Sequence, residues 1–339
     1  MEHRLPIGKL EPEFLATLLG DLTIDDRRVI VGPKVGCDVT VLEWGEGDKY
    51  LIAKTDPITF ATDEIGHYAV SVNTNDVATS GGVPLWFLAT VLLPDDGADD
   101  ALVEMIFGQI DRSCAELGIA LVGGHTEVTY DLARPIVVGF MLGEVQKDEL
   151  VRSDGAEVGD RVLLTKRVAV EGTAIIAREV GERLAEARVD EAEIERARDF
   201  LHEPGINVLR EARAAVKAGD VHAMHDPTEG GVATGLHELA MAAEVGVAVA
   251  LERIPFFPET ETFCDVLDLD PLGLIASGSL LLAVAPGDAD AIVKAIRAEG
   301  IDCADIGEVV KQHNGVKIRR GINWHDLPRF DQDEITKIF

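Results

Sequence analysis

The chain is poor in aromatic residues, in cysteine and in positive charge. Aromatics make up 5% of its 339 residues against 47% hydrophobic residues overall, so the expected core is aliphatic. The four cysteines, Cys37, Cys114, Cys264 and Cys303, are scattered and form no Cys-x-x-Cys pair. That argues against a zinc knuckle or a disulfide framework and points to reduced thiols. The 31 basic residues face 61 acidic ones, a net charge of −30. Such an excess of acid argues against nucleic acid or anionic membrane as the main partner. No apolar run approaches membrane-spanning length. Met1 to Leu10 carries charge and a proline but no apolar stretch, so no signal peptide is expected and a cytoplasmic location is. Three common motifs are also missing: Gly-x-x-x-x-Gly-Lys-Ser/Thr, Gly-x-Gly-x-x-Gly after a strand, and Gly-x-Ser-x-Gly.

The acidity has two readings: plain solubility, or adaptation to a salt-rich cytoplasm in which screening makes such a surface tolerable. Under the second, thermal stability rises with KCl concentration. A stability maximum in dilute buffer would exclude it.

The length suits two ordinary domains, and the high apolar content argues against disorder. Phe14, Leu15, Leu18 and Leu19 give helical spacing from Glu11 to Leu22. Helices are also expected over Ile65 to Ser80, Ala98 to Gly118, Gly231 to Val245 and Asp288 to Glu299. A broken helical region runs from Gly172 to Ala218, interrupted at Pro204 and Gly205. Strands are expected at Val39 to Leu42, Tyr50 to Lys54, Leu85 to Leu92, Ile119 to Val122, Pro135 to Leu142, Arg161 to Thr165, Val221 to Met224, Val247 to Glu252 and Ser279 to Val284. An acidic loop is expected between the last two. The polar stretch Lys147 to Asp160 marks a boundary, giving an N-terminal domain over 1–150 and a C-terminal one over 151–339. The polar tail from Asn314 receives no role.

What is present is a set of acidic and glycine-flanked segments. Asn73-Thr74-Asn75-Asp76 runs into Ser80-Gly81-Gly82, and His225-Asp226-Pro227-Thr228-Glu229-Gly230-Gly231 follows a strand. Each is expected to set a carboxylate at the mouth of a helix. Asp38, Asp56 and Asp76 offer the hard oxygen ligands that magnesium takes together with phosphate; the alternative is that they cap turns. Leu121-Val122-Gly123-Gly124-His125-Thr126-Glu127 is either a tight turn or a metal or phosphate loop. At His225 to Gly231, an anion site at a helix N-terminus competes with a capping motif in which Thr228 is the N-cap. Lys166 and Arg167 are rare cations, suited to phosphate contact or to a solvated loop, and Ser277-Gly278-Ser279 is compatible with a substrate loop.

Asp38 in its glycine loop, Asn75-Asp76, Gly123-Gly124-His125-Thr126, His225-Asp226-Pro227-Thr228 and Ser277-Gly278 occur together in this order. The set resembles the aminoimidazole-ribonucleotide (AIR) synthetase, or PurM-like, superfamily, most closely its hydrogenase-maturation HypE group, from about Leu5 to Gly307. The resemblance implies α/β plus α+β architecture: an N-terminal domain that forms a dimeric β-barrel with a second copy, and a C-terminal α+β domain. It implies ATP and Mg, a homodimer, and a small-molecule or protein acceptor activated at an oxygen with release of ADP. An anionic nucleotide on so acidic a chain needs divalent cations and local basic groups. The expected site has Asp76, His225 and Asp226 in catalysis. Asp38, Lys54, Asn75, Gly123, Gly124, His125, Thr126, Lys166, Thr228, Gly230 and Gly231 are expected on ATP and phosphate, and Asp38, Asp56, Asp76 and Glu127 on metal. Departures from the HypE pattern are Leu327-Pro328-Arg329-Phe330 where a Pro-Arg-x-Cys ending is usual, Leu5 to Leu10 in place of a glycine-rich segment, Glu229 where an arginine is usual, and His125 in place of an acidic residue, as in selenophosphate synthetase. They point to a substrate other than the chain's own terminus. A nucleotide-binding scaffold without turnover, and thiamine-phosphate kinase or AIR synthetase activity itself, are the competing expectations.

Overall fold

The structure is a computed structural model that describes Leu10, 12–22, 24–59 and 63–339. The readings made for Met1 to Lys9, including the Leu5 to Leu10 departure, lie outside the described residues apart from Leu10. The chain divides into two compact units. One comprises Arg28–Val31 and Asp38–Leu150; the other comprises Gly32–Cys37 and Val151–Phe339, with helix α1 (Pro12–Gly20).

The unit spanning 38–150 is built on an open six-stranded sheet. Its strands are β1 (Val29–Val31), β2 (Thr40–Glu43), β3 (Lys49–Ile58), β4 (Val83–Pro94), β5 (Ala120–Thr129) and β6 (Ile136–Gln146), in the order β1-β2-β3-β6-β4-β5. Helix α2 (Ile65–Thr79) follows β3, and α3 (Asp100–Leu117) makes the crossover between the parallel strands β4 and β5, as parallel neighbours require. Apolar residues on the inward side of the strands (Ile52, Phe87, Val91, Val137, Met141) meet Ile65, Ala69 and Val77 of α2 and Ile106 and Ile110 of α3. Gly139 of β6 lets α2 lie close, because a Cβ there would stand 2.2 Å from the Asn73 side-chain nitrogen. Pro57 sits inside β3 beyond Ala53, where pairing with β2 has ended, so its missing N–H costs no ladder bond.

Gly123-Gly124 forms no turn. It lies inside β5, beside β4, and a Cβ on Gly124 would stand 2.0 Å from the Ala89 carbonyl oxygen. The glycines serve close strand approach, which is why the strand continues seven residues past Val122.

The second unit carries a seven-stranded sheet. Its strands are β7 (Arg161–Thr165), β8 (Val221–His225), β9 (Gly246–Ala250), β10 (Leu281–Val284), β11 (Cys303–Val310), β12 (Val316–Arg320) and β13 (Asn323–Asp326), in the order β13-β12-β9-β11-β7-β10-β8. All its pairings are antiparallel except β12 with β9. The helices are α4 (Val170–Glu179), α5 (Gly181–Glu186), α6 (Glu191–Arg198), α7 (Leu209–Ala218), α8 (Gly231–Ala242), α9 (Pro258–Leu267) and α10 (Ala289–Ala298). Val162, Leu164, Val249, Leu281 and Ile306 from the strands pack with Ile176, Val232, Leu236 and Phe263 from the helices. The segment expected as an acidic loop before β10 holds α9, and the tail without a role supplies β12 and β13.

Candidate functional site

In the 38–150 unit, residues two apart on a strand share a face, so Lys54 and Asp56 of β3 point the same way. Helix α2 brings Asp76 to them. The Lys54 ammonium lies 3.0 Å from an Asp76 carboxylate oxygen and 3.1 Å from one of Asp56. Its side chain is 14% exposed, and that of Asp76 7%. Burial alone would lower the Lys54 pKa, but the charges of Asp76, Asp56 and Asp38 outweigh it and hold the ammonium above its usual range. One buried cation thus serves three carboxylates, and the group keeps a net negative charge.

Asp76 is not at the mouth of a helix. It lies in the last turn of α2, where the helix dipole disfavours a carboxylate, and Lys54 offsets that. The rest of this stretch is unusually polar for buried helix: Ser71, Asn73, Thr74 and Asn75 are all at most 1% exposed. Asn73 donates to the carbonyls of Ala69 (2.8 Å) and Asp56 (3.3 Å), while its own oxygen, with the Ser71 and Thr74 hydroxyls, finds no partner among the described residues. Buried polar groups are ordinarily satisfied, and such a run beside gathered carboxylates marks a place built to meet a polar ligand. Oxygen donors without cysteine or histidine fit magnesium. Of the residues expected on metal, Asp56 and Asp76 lie against Lys54, and Asp38 acts on it through space.

Glu127 and His125 do not join it. In register, Asp56 stands opposite Gly139, then Ala89, then Gly124, which puts β5 three strands, about 14 Å, from Asp56. His125 and Glu127 face each other at 3.0 Å, both exposed, and Thr126 lies exposed between them.

In the other unit, β8 ends at His225, whose ring nitrogen is 2.8 Å from the Glu238 carboxylate of α8. Asp226 is buried. The Thr228 carbonyl accepts from the N–H groups of Gly231 (3.1 Å) and Ala276 (3.2 Å), so the turn is tied to the loop that holds Ser277. Thr228 is not the N-cap. Gly230 is, in a left-handed conformation (φ 76°) with no cap from neighbouring side chains. Its N–H donates instead to Asp333 at 2.7 Å. The helix-mouth donor expected to face phosphate is therefore committed to the chain's own tail.

Lys166 is corrected more fully. Its side chain is 4% exposed, paired with Glu211 at 2.9 Å, and donates to the Asn207 carbonyl at 2.7 Å. Arg167 is taken up by Asp302 and the Phe256 carbonyl. Neither the phosphate contact nor the solvated loop open to Lys166 is met, because Glu211 of α7 takes its ammonium.

Three further residues, without a signal in the sequence, bear on these segments. Glu238 orients His225 from about two turns into α8. Asp333 caps α8 from the tail. Glu171, in the first turn of α4, is buried with one carboxylate oxygen unpartnered. Burial pushes its pKa up to about 7, a hydrogen bond from Ser277 pulls the other way, and Glu229 and Asp333 add to the rise. Buried carboxyls of this kind concentrate at functional sites, but nothing in the sequence marks Glu171 apart from its place before Gly172.

Known proteins resemble the chain in both of its parts. Residues 36–145 match the N-terminal domain of AIR synthase related protein, and 157–319 match its C-terminal domain. A putative hydrogenase expression/formation protein of Methanocaldococcus jannaschii is 29% identical over 280 residues, covering 80% of this chain and 79% of that protein. A carbamoyl dehydratase HypE of Rhizobium leguminosarum bv. viciae is 30% identical over 272 residues, covering 79% and 73%. The solved structure of hydrogenase maturation protein HypE in complex with ATP superposes with a TM-score of 0.73 at 23% identity, covering 94% of this chain and 95% of that one. The fold is the two-domain PurM-like fold, mixed α/β in both parts. With both domain models matched in order and relatives that are named as enzymes, the chain belongs to the AIR synthase related protein family.

Proposed function

We propose that this chain is an ATP- and Mg-dependent enzyme of the AIR synthase and HypE type, which activates an oxygen of a small-molecule or protein acceptor by phosphoryl transfer and releases ADP. The observation that carries the reading is the gathering of Asp38, Asp56 and Asp76 around buried Lys54, beside the unsatisfied polar run of α2. The kinship with carbamoyl dehydratases and the ATP complex of a neighbour support it.

The nucleotide falls to the N-terminal domain, expected over 1–150 and built on Arg28–Val31 and Asp38–Leu150, since Gly32–Cys37 and helix α1 group with 151–339. Asp38, Asp56 and Asp76 hold magnesium, which when bound neutralises phosphate charge and fixes the triphosphate for in-line attack. Lys54 keeps the carboxylates together, and its ammonium would supply positive charge for phosphate beside the metal they would hold. Asn75 presents a neutral amide to the same phosphates. Catalysis of this kind rests on positioning and charge neutralisation rather than on a protein nucleophile. In the second domain, His225, fixed by Glu238, and Asp226 handle the acceptor: the imidazole takes a proton from the acceptor as its oxygen is activated, and Thr228 shapes the turn.

The N-terminal domain pairs with a second copy and closes a β-barrel. Edge strand β5 supports this: Leu121, Val122 and Val128 are exposed along it, with Trp86 and Phe140 exposed on neighbouring strands. A long apolar edge is otherwise a liability. The homodimer is placed in the cytoplasm; no helix among the described residues is long and apolar enough to cross a membrane.

ADP release from MgATP in the presence of carbamoyl and amide acceptors tests the assignment. Asp76→Ala is expected to abolish turnover. Unchanged nucleotide binding and turnover in that variant would remove the proposed site.

A further inference from the structure

The tail does more than end the chain. Leu327 is buried against the core. The Phe330 ring lies over Gly273, where a Cβ would meet it at 2.4 Å. Glu334 accepts from the Asp270 N–H at 2.9 Å and pairs with Lys337. Between these anchors Asp333, 8% exposed, accepts three backbone N–H groups: Gly230 at 2.7 Å, Ile335 at 2.9 Å and Ile275 at 3.2 Å. One carboxylate thus ties the α8 mouth to the loop before Ser277, and both to the tail.

The sequence around α8 explains the need. Gly230 brings no capping side chain, and its left-handed conformation is adopted freely by glycine but is not enforced by it. Helix mouths leave N–H groups open unless something caps them. Thr228, two residues upstream, accepts from the Ala276 N–H through its carbonyl, so the turn is tied to the same loop that Asp333 reaches at Ile275. The path of the turn from His225 to Gly231 is therefore set from outside it.

We propose that Asp333 is a positioning residue: by capping α8 from the tail it fixes the His225–Gly231 turn, and with it the direction in which His225 and Asp226 are presented. The mechanistic part rests on the acceptor role given above to that turn. Asp333 touches neither nucleotide nor acceptor in this scheme; it acts through Gly230. The chemistry agrees. The N–H group at a helix mouth with its dipole end favours an ionised acceptor. Burial pushes the Asp333 carboxyl up to about 6 despite its three N–H partners, and Glu229 adds to the rise. Glu171 also faces this region. Along the tail stand Glu334 and its Lys337 partner, with Asp268 and Asp270 acting on that lysine. Protonating Asp333 therefore weakens the cap while the rest of the unit stays folded.

The test is amide hydrogen exchange of the full chain, followed residue by residue as protection factors between pH 5 and 8. In the wild type, protection at Gly230 and Gly231 is expected to fall about tenfold as pH drops through the Asp333 titration, while Leu164 and Leu282 in strands β7 and β10 do not change. Asp333→Asn, which cannot offer ionised oxygens to all three N–H groups, is expected to show the low value at every pH. With MgATP, the same variant is expected to lower kcat for ADP release about tenfold at unchanged KM, a split that general destabilisation would not give. Equal protection at Gly230 in both proteins, opening spread evenly over the core strands, or an unchanged kcat in the variant would each overturn the proposal. If the wild type neither binds nor turns over MgATP, the nucleotide assignment falls, while the exchange profile still judges the cap.

Discussion

Replacing Lys54 by methionine is expected to destabilise the protein by about 3 kcal/mol at neutral pH and to abolish nucleotide turnover. Removing one partner of a buried ion pair leaves an uncompensated buried charge, and that typically costs about 3 to 5 kcal/mol. Here one ammonium serves two carboxylates at 3.0 and 3.1 Å and a third through space, so its loss leaves a cluster of like charge. Methionine keeps most of the side-chain volume, which separates the charge effect from a cavity. The deficit should shrink when magnesium is added, because the metal does the same electrostatic work, whereas the wild type should gain less from magnesium. Urea unfolding with and without MgCl2 measures both. A variant as stable as the wild type without metal would show that the three carboxylates do not form a single electrostatic group.

The second large effect has the opposite sign. Glu171→Gln is expected to stabilise the protein by about 3 kcal/mol at pH 8 and to change little at pH 4. The folded-state pKa of Glu171 is raised to about 7 from an ordinary value of 4.5. The folded protein therefore holds the proton more tightly than the unfolded chain between those values. Stability falls as pH rises through that window, and above it the folded state carries a buried charge whose cost follows from the separation of the two pKa values. Glutamine has the same shape and no charge, so it relieves that cost above pH 7. Below pH 4.5 the wild-type carboxyl is neutral in both states, and the variant gains nothing. Thermal unfolding at the two pH values checks this. An equal change at both, or none at pH 8, would contradict it. A chain that keeps a destabilising carboxylate beside Ser277 resembles proteins whose sites are retained at a cost in stability.

Much of the framework can be read from local pattern. Helix α2 and the segments Arg161 to Thr165 and Val221 to Met224 follow from apolar periodicity and turn residues, and they appear where expected. Asp38, Asp56 and Asp76 could be grouped because aspartates at strand ends and beside asparagines suit a hard cation. What failed did so for tertiary reasons. Gly123-Gly124 reads as a turn by composition, but the approach of Ala89 decides its conformation. Lys166 looks like a solvated cation until Glu211 of α7 comes beside it. The helix α9 was hidden in acidic composition, although Pro258 at its first turn and the Phe263–Leu267 spacing were visible signals. Asp333 stands 103 residues from Gly230. No local signal connects the two, so the cap on α8 could be found only once the chain had folded.

The central claim, that separated aspartates gather to grip a cation-bridged triphosphate, is tested most directly by calorimetric titration of ATP into the purified protein with and without magnesium. The account predicts saturable binding that requires the metal and is lost in Asp76→Asn. A protein that ignores ATP whether or not divalent ions are present would contradict it.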